Sequence, residues 1–150
     1  MDDQTPDEAA HFISTSRTLS ASPEQIWSAL TTPERLARWW GPEGFSNDVE
    51  TCDLREGGQW VFDMIGPDGK RYANRSEFEV LEAPHRWVVR HVCAPLYRLT
   101  ITLTPDDNGG TRLQWDQRFD NPRTAEGLGP IVGSANEQNI DRLWAELQRP

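Results

Sequence analysis

The sequence predicts an α+β fold: a curved antiparallel β-sheet with two short helices and a long carboxy-terminal helix packed across it. Three observations predict it. After Gly44 apolar side chains recur at every second residue as far as Phe119, with Gly66-Pro67-Asp68-Gly69 and Asp107-Asn108-Gly109-Gly110 interrupting them as hairpin turns. Before that run stand two helix-start signals, and after it comes a segment whose apolar residues follow helical spacing. A sheet with one apolar face needs that face covered, and one amphipathic helix of about sixteen residues, roughly 24 Å long, spans it.

Residues His11 to Ala21 (HFISTSRTLSA) alternate loosely and are rich in Thr, Ser and Ile, which reads as a first strand. Ser22 then supplies an N-cap, with Pro23 at the first helical position and Gln25 three residues after the cap; Ile26, Trp27 and Leu30 follow at helical spacing. Thr32-Pro33-Glu34 repeats the signal, with Leu36, Trp39 and Trp40 on the apolar side and Gly41-Pro42 as the stop. Gly57-Gly58 marks a bulge or tight turn ahead of Gln59 to Ile65, a strand with Trp60, Phe62 and Met64 on one face. In Tyr72 to Leu81 the residues Tyr72, Asn74, Ser76, Phe78 and Val80 share a face. Trp87 to Cys93 and Leu96 to Thr104 follow, the latter aligning Tyr97, Leu99, Ile101 and Leu103, and Thr111 to Phe119 presents Leu113, Trp115 and Phe119. The meander after the helices therefore has about six strands. Asn121 to Pro130 contains Pro122, Gly127, Gly129 and Pro130 and reads as an irregular loop, a candidate lid. The last helix runs from about Val132 to Gln148, with Asn136, Asn139, Ile140, Leu143 and Leu147 on one stripe and Trp144 beside it. Glu137, Asp141, Arg142 and Glu146 fall on the opposite face.

A chain of 150 residues and 17.1 kDa buries roughly two-thirds of its unfolded surface without a metal or disulfide staple. Residues 11–150 thus read as one domain, behind an acidic tail (residues 1–10) that holds Asp2, Asp3, Asp7 and Glu8, too polar to order. The net charge of −9 repels phosphate backbones and anionic headgroups, which disfavours nucleic acid and membrane surfaces. No window approaches the ~18 to 20 apolar residues of a membrane span, and the acidic start lacks the basic and then apolar character of a signal peptide, so a cytoplasmic protein is expected. Cys52 and Cys93 then read as small buried apolar residues without a disulfide.

Motifs that would announce chemistry are weak. His91 and Cys93 share a strand face, but two ligands seldom hold zinc and no second pair accompanies them, so no metal or other cofactor is expected. Ser134, in VGSAN, reads as a helix cap, and Gly127-x-Gly129 lacks the context of a phosphate loop. Asp63 and Asp116 oppose the apolar stripes and read as solvent-facing. What stands out is the set of aromatics on surfaces that face one another: Trp39, Trp40, Trp60, Phe62, Phe78, Trp87, Trp115 and Trp144. Asn74 and Ser76 share the Phe78 face, and Asn136 and Asn139 share the stripe of Ile140 and Leu143. Four polar groups aimed at one interior point to a partly polar cavity; otherwise the two helix amides sit where the stripe meets solvent.

The segment RTLSASPEQIWSALTTPERLARWWGPEGF (Arg17 to Phe45) resembles the opening of the activator-of-heat-shock-chaperone-ATPase (AHSA-type) family. That family lies within the START-like, birch-pollen-allergen-like SRPBCC superfamily. The likeness continues through DLREGGQWVFDMIGPDGKRY (Asp53 to Tyr72), LTPDDNGGTRL (Leu103 to Leu113) and IDRLWAEL (Ile140 to Leu147), and covers most of residues 12 to 148. The resemblance implies a helix-grip fold with a cavity between sheet and last helix, in a superfamily that binds lipids, hormones, polyketides and other hydrophobic molecules. It implies no catalytic set. Relatives commonly carry Gly-Trp where this chain has Ala135-Asn136, which leaves space and a polar group at the entry to the last helix.

Three functions follow as expectations. The first is a carrier or sensor whose small hydrophobic ligand (a lipid, polyketide or aromatic compound) is bound by Trp39, Trp40, Trp60, Phe62, Met64, Ser76, Phe78, Trp87, Leu99, Trp115, Asn136, Asn139, Ile140 and Leu143. The second is a protein-interaction module, which would dock on a chaperone or other partner through Trp39-Trp40-Gly41-Pro42, unless that segment is structural packing. The third is an enzyme of the polyketide cyclase or dehydratase type, for which Tyr97, Arg98 and Asp116 are the nominees for acid or base.

Overall fold

The structure is a computed structural model that describes residues 11–150, so the expected acidic tail lies outside the described residues. Strand β1 (Phe12–Leu19) leads into helix α1 (Pro23–Thr31), where Ser22 and Gln25 form the reciprocal capping box that their spacing predicts. Helix α2 (Pro33–Trp39) follows directly. Six strands come next: β2 (Ser46–Cys52), β3 (Gln59–Ile65), β4 (Arg71–Glu82), β5 (Arg86–His91), β6 (Tyr97–Pro105) and β7 (Thr111–Phe119). Helix α3 (Pro122–Leu147) ends the chain. The seven strands form one antiparallel sheet in the order β1-β7-β6-β5-β4-β3-β2, curved and open, with the helices against one face. This is the α+β helix-grip arrangement.

Alternation put the right residues inside for most strands, with one reversal. Between Phe78 and Val80 the β4–β5 register shifts by one residue, so beyond the bulge Leu81 packs against the core in place of Val80, the expected inner residue. The Gly57-Gly58 turn is as tight as expected, since a Cβ on Gly58 would stand 2.0 Å from the Asp53 carbonyl oxygen. Both cysteines are free and half-buried, which corrects the expectation of buried residues.

The largest correction concerns α3. The segment from Asn121 to Pro130 is helix rather than loop, so α3 has 26 residues and extends about 39 Å. Asn121 is the cap, accepting a hydrogen bond from the Arg123 N–H, and Pro122 occupies the first turn, where its missing N–H costs nothing. Pro130 lies within the helix on an exposed face. Ser134 is consequently mid-helix and caps nothing. The face of α3 opposite the apolar stripe also does structural work. Glu146 is 4% exposed and accepts hydrogen bonds from Arg35 and Arg38, while Glu137 and Asp141 pair with Arg17 of β1. These contacts clamp the helix at both flanks, and Arg38, then Arg35, hold the Glu146 carboxyl below its usual range.

Candidate functional site

Most of the interior is filled by rings. Trp40 is the hub: its ring meets those of Trp39, Trp60, Trp87 and Trp115 at centroid separations of 5.5, 4.9, 6.2 and 5.9 Å. Trp60 continues the chain to Phe62 and Phe78. The Trp39-Trp40-Gly41-Pro42 segment is therefore packing: Trp39 and Trp40 are both buried, and the Trp39 Nε1–H donates to the Ala29 carbonyl at 2.9 Å. Three groups hold the turn that follows. Gly41 has φ +103°, a conformation suited to glycine, and a Cβ there would also meet Met64 Cε at 2.9 Å. Its N–H donates to Asn139 Oδ1 at 2.8 Å. The Arg142 Nη1 donates to the carbonyls of Trp40, Gly41 and Pro42, and burial pulls its guanidinium below its ordinary pKa.

Beside the tryptophan cluster a recess of about 100 Å³ remains open between sheet and α3. Its walls are Trp40, Gly41, Pro42 and Met64, then Asn74, Tyr97, Leu99, Trp115 and Gln117 from the sheet, and Asn136 and Asn139 from α3. No charged side chain is among them. Asn136 Nδ2 donates to Gln117 Oε1 at 3.0 Å, which ties α3 to β7. Burial pushes the Tyr97 phenol well above its usual pKa, so it stays a neutral donor. The Nε1–H groups of Trp115, a wall residue, and of Trp87, in the packed core, are both buried without a hydrogen-bond partner, a condition that costs roughly 1 to 3 kcal/mol for each.

Of the fourteen residues expected to contact ligand, Trp40, Met64, Leu99, Trp115, Asn136 and Asn139 line this recess. Trp39, Trp60, Phe62, Phe78, Trp87, Ile140 and Leu143 belong instead to the packed core, and Ser76 is buried away from the recess walls. Asn136 and Asn139 are buried rather than at a solvent boundary. The acid–base nominees are not brought together: Tyr97 reaches the recess, whereas Arg98 pairs with Glu79 and Asp116 accepts from Gln114 Nε2. Asn74, read from the sequence as aimed at the interior, is a wall residue, and Gln117 is one that the sequence reading did not name, although it alternates in register with Trp115.

Among the described residues no group of three or more His, Cys, Asp or Glu side chains is placed to hold a metal ion, and no helix is long and apolar enough to cross a membrane. Residues 20–149 match the family of the Activator of Hsp90 ATPase homolog 1-like protein. Among solved structures, one from Nitrosomonas europaea is 24% identical over 96% of this chain and 98% of its own, with a TM-score of 0.84. One from Arthrobacter aurescens is 23% identical over 97% and 91%, with a TM-score of 0.85. Protein Ms6760 from Mycobacterium smegmatis is 26% identical over 97% and 96%, with a TM-score of 0.79. No curated protein matches the chain. The fold is consistent with a ligand-binding domain in general, and the family match spans nearly the whole of it: the chain belongs to the Activator of Hsp90 ATPase homolog 1-like family.

Proposed function

We propose that the protein is a carrier or sensor for a small, uncharged, mainly apolar molecule that offers one hydrogen-bond acceptor to the recess beneath α3. The observation that carries this reading is the recess itself, walled by neutral polar groups and by Trp115, whose buried Nε1–H has no partner. A carbonyl or ether oxygen would satisfy that donor, whereas a carboxylate would meet no cation on the walls. The volume of about 100 Å³ is below the roughly 300 to 1,000 Å³ of drug-sized sites. The ligand is therefore a single small ring, or a larger molecule that inserts only its polar end. The free, half-buried cysteines suit a reducing compartment, and we place the protein in the cytoplasm on that ground.

The test is a two-dimensional NMR titration of the indole N–H signals with neutral aromatic ketones and flavonoids, with fatty acids as the charged comparison. Saturable movement of the Trp115 signal by a neutral ketone is the expected result, with the accompanying shifts of the neighbouring Trp40 signal weakened in Trp115→Phe while the fold is intact. No movement with any neutral compound, or equal movement with fatty acids, would overturn the reading.

A further inference from the structure

At the end of β5, beside the recess and sharing Asn74 with its wall, a thiol, an imidazole and an amide converge. Cys93 Sγ lies 3.4 Å from His91 Nε2, and the same nitrogen is 2.9 Å from Asn74 Oδ1. The other ring nitrogen, Nδ1, is 2.7 Å from the Pro95 carbonyl oxygen, an acceptor only. The Asn74 Nδ2 is taken up by the Tyr72 carbonyl, so Oδ1 faces the ring and both ring nitrogens meet acceptors; a neutral imidazole satisfies only one, and in the tautomer that donates to Pro95 the Nε2 is left to take the thiol proton. His91 is 4% exposed and stacked on Tyr97 at 4.5 Å, so the imidazole is held in this orientation. Burial also lowers its pKa, which keeps it in the neutral form able to accept a proton. Once it has done so, the new Nε2–H has Asn74 Oδ1 as acceptor, so the thiolate–imidazolium pair is supported on its cationic side.

The thiol also borders a place for a reactant. A groove of about 320 Å³ is lined by Val61, Phe62, Ala73, Val92, Arg75 and Cys93, with Asp63 and Asn74 completing it. Among the described residues the Arg75 guanidinium has no hydrogen bond or ion pair, and so supplies an uncommitted cation.

We propose that Cys93, with His91 as its base, is a covalent capture site for small apolar α,β-unsaturated carbonyl compounds. His91 Nε2 takes the thiol proton as sulfur bonds to the β-carbon of the acceptor. The C=C π pair moves to form an enolate, which Arg75 stabilises, and the proton returns from His91 to the α-carbon. The product is a thioether, and the addition needs no oxidant, reductant or second reactant. The thiol opens on this groove and not on the recess, whose walls do not include Cys93.

Cys52 is the internal control. It is half-buried like Cys93, but burial pushes its thiol up to about 11 and no imidazole adjoins it. The test is the rate of modification of each cysteine in the intact protein at pH 7, read by peptide mass spectrometry, with N-phenylmaleimide as the unsaturated carbonyl probe and iodoacetamide as the small polar comparison. Cys93 is expected to react at least about tenfold faster than Cys52, with a preference for N-phenylmaleimide over iodoacetamide above that of free cysteine. His91→Gln should slow Cys93 about tenfold and leave Cys52 unchanged. Should that variant fail to fold, Asn74→Ala, which keeps the imidazole and removes its acceptor, should slow Cys93 about threefold. Equal rates at the two cysteines, or an unchanged Cys93 rate in the folded variant, would overturn the proposal.

Discussion

Around Ile140 and Leu143 the space between sheet and α3 is filled by indole and phenyl rings packed within 4.6 to 6.5 Å of one another. A few residues earlier, around Asn136 and Asn139, the same helix faces amides, a phenol and an open recess. The two regions share α3 and strands β6 and β7, and Trp40 borders both, so the difference comes from side-chain chemistry rather than backbone shape. In the first, burial of large apolar rings supplies stability; in the second, neutral polar groups are bonded to one another or left available. A fold held by one end of its interior is free to use the other for recognition.

The sharpest way to break this comparison is to truncate a side chain in each region. Trp87 is fully buried and touches Trp40, Trp60 and Phe78, so Trp87→Ala should cost about 4 kcal/mol in chemical denaturation, through lost burial and the cavity left behind. Asn136→Leu removes the bond to Gln117 and leaves that buried amide oxygen without its donor, so it should cost about 1 to 3 kcal/mol, less than Trp87→Ala, while abolishing any ligand response. A comparable loss at both positions would mean that the recess is core like the rest.

The clamp that closes the tryptophan-filled end is next in size. Glu146→Ala should destabilise by about 2 kcal/mol, since a buried carboxylate with hydrogen bonds from two guanidinium groups is lost. The pH dependence carries a definite sign. The folded-state pKa of Glu146 lies below its ordinary 4.5, so its contribution is fully present above 4.5 and is lost as pH falls through the folded value. Denaturation midpoints measured from pH 7 down to pH 3 should therefore fall less steeply in Glu146→Ala than in the parent protein. Parallel curves would place the acid-sensitive group elsewhere.

The fold was legible where one local signal decides the outcome: the capping box at Ser22, the alternation in Gln59–Ile65, the Asp107–Gly110 turn. It was less legible where tertiary contacts override a local signal. Pro130 and its neighbouring glycines speak against helix, yet residues 122–130 are helical because Asn121 caps them and the packed segment beyond continues them. The bulge after Phe78 reverses an alternation that no residue type in β4 announces. In the site, Asn136, Asn139 and Trp115 were identified because polar and aromatic residues on an apolar stripe are conspicuous. Gln117 sits two residues beyond Trp115 on the same strand face and was visible by the same rule. How far the rings fill the interior depends on rotamers and on Trp40 bridging two groups, which a linear pattern does not encode.

The smallest effect separates the two halves of α3 itself. Its first half contains Gly127, Gly129, Pro130 and Gly133, and a Cβ built on any of the three glycines would meet nothing within 4 Å. Glycine in a helix costs about 0.8 to 1 kcal/mol relative to alanine, so this half is intrinsically weak beside the half anchored by Ile140, Leu143 and Glu146. Local opening there is the cheapest way to enlarge a recess that begins at Asn136. Gly127→Ala should raise global stability by about 0.5 to 1 kcal/mol and slow amide hydrogen exchange in residues 123–135, leaving residues 140–147 unchanged. If the recess admits ligand by this opening, the same variant slows association more than dissociation, because it penalises the open state without touching a wall residue. Faster exchange, or protection spread evenly along α3, would show that the helix behaves as one unit and that the contrast between its halves lies in the side chains alone.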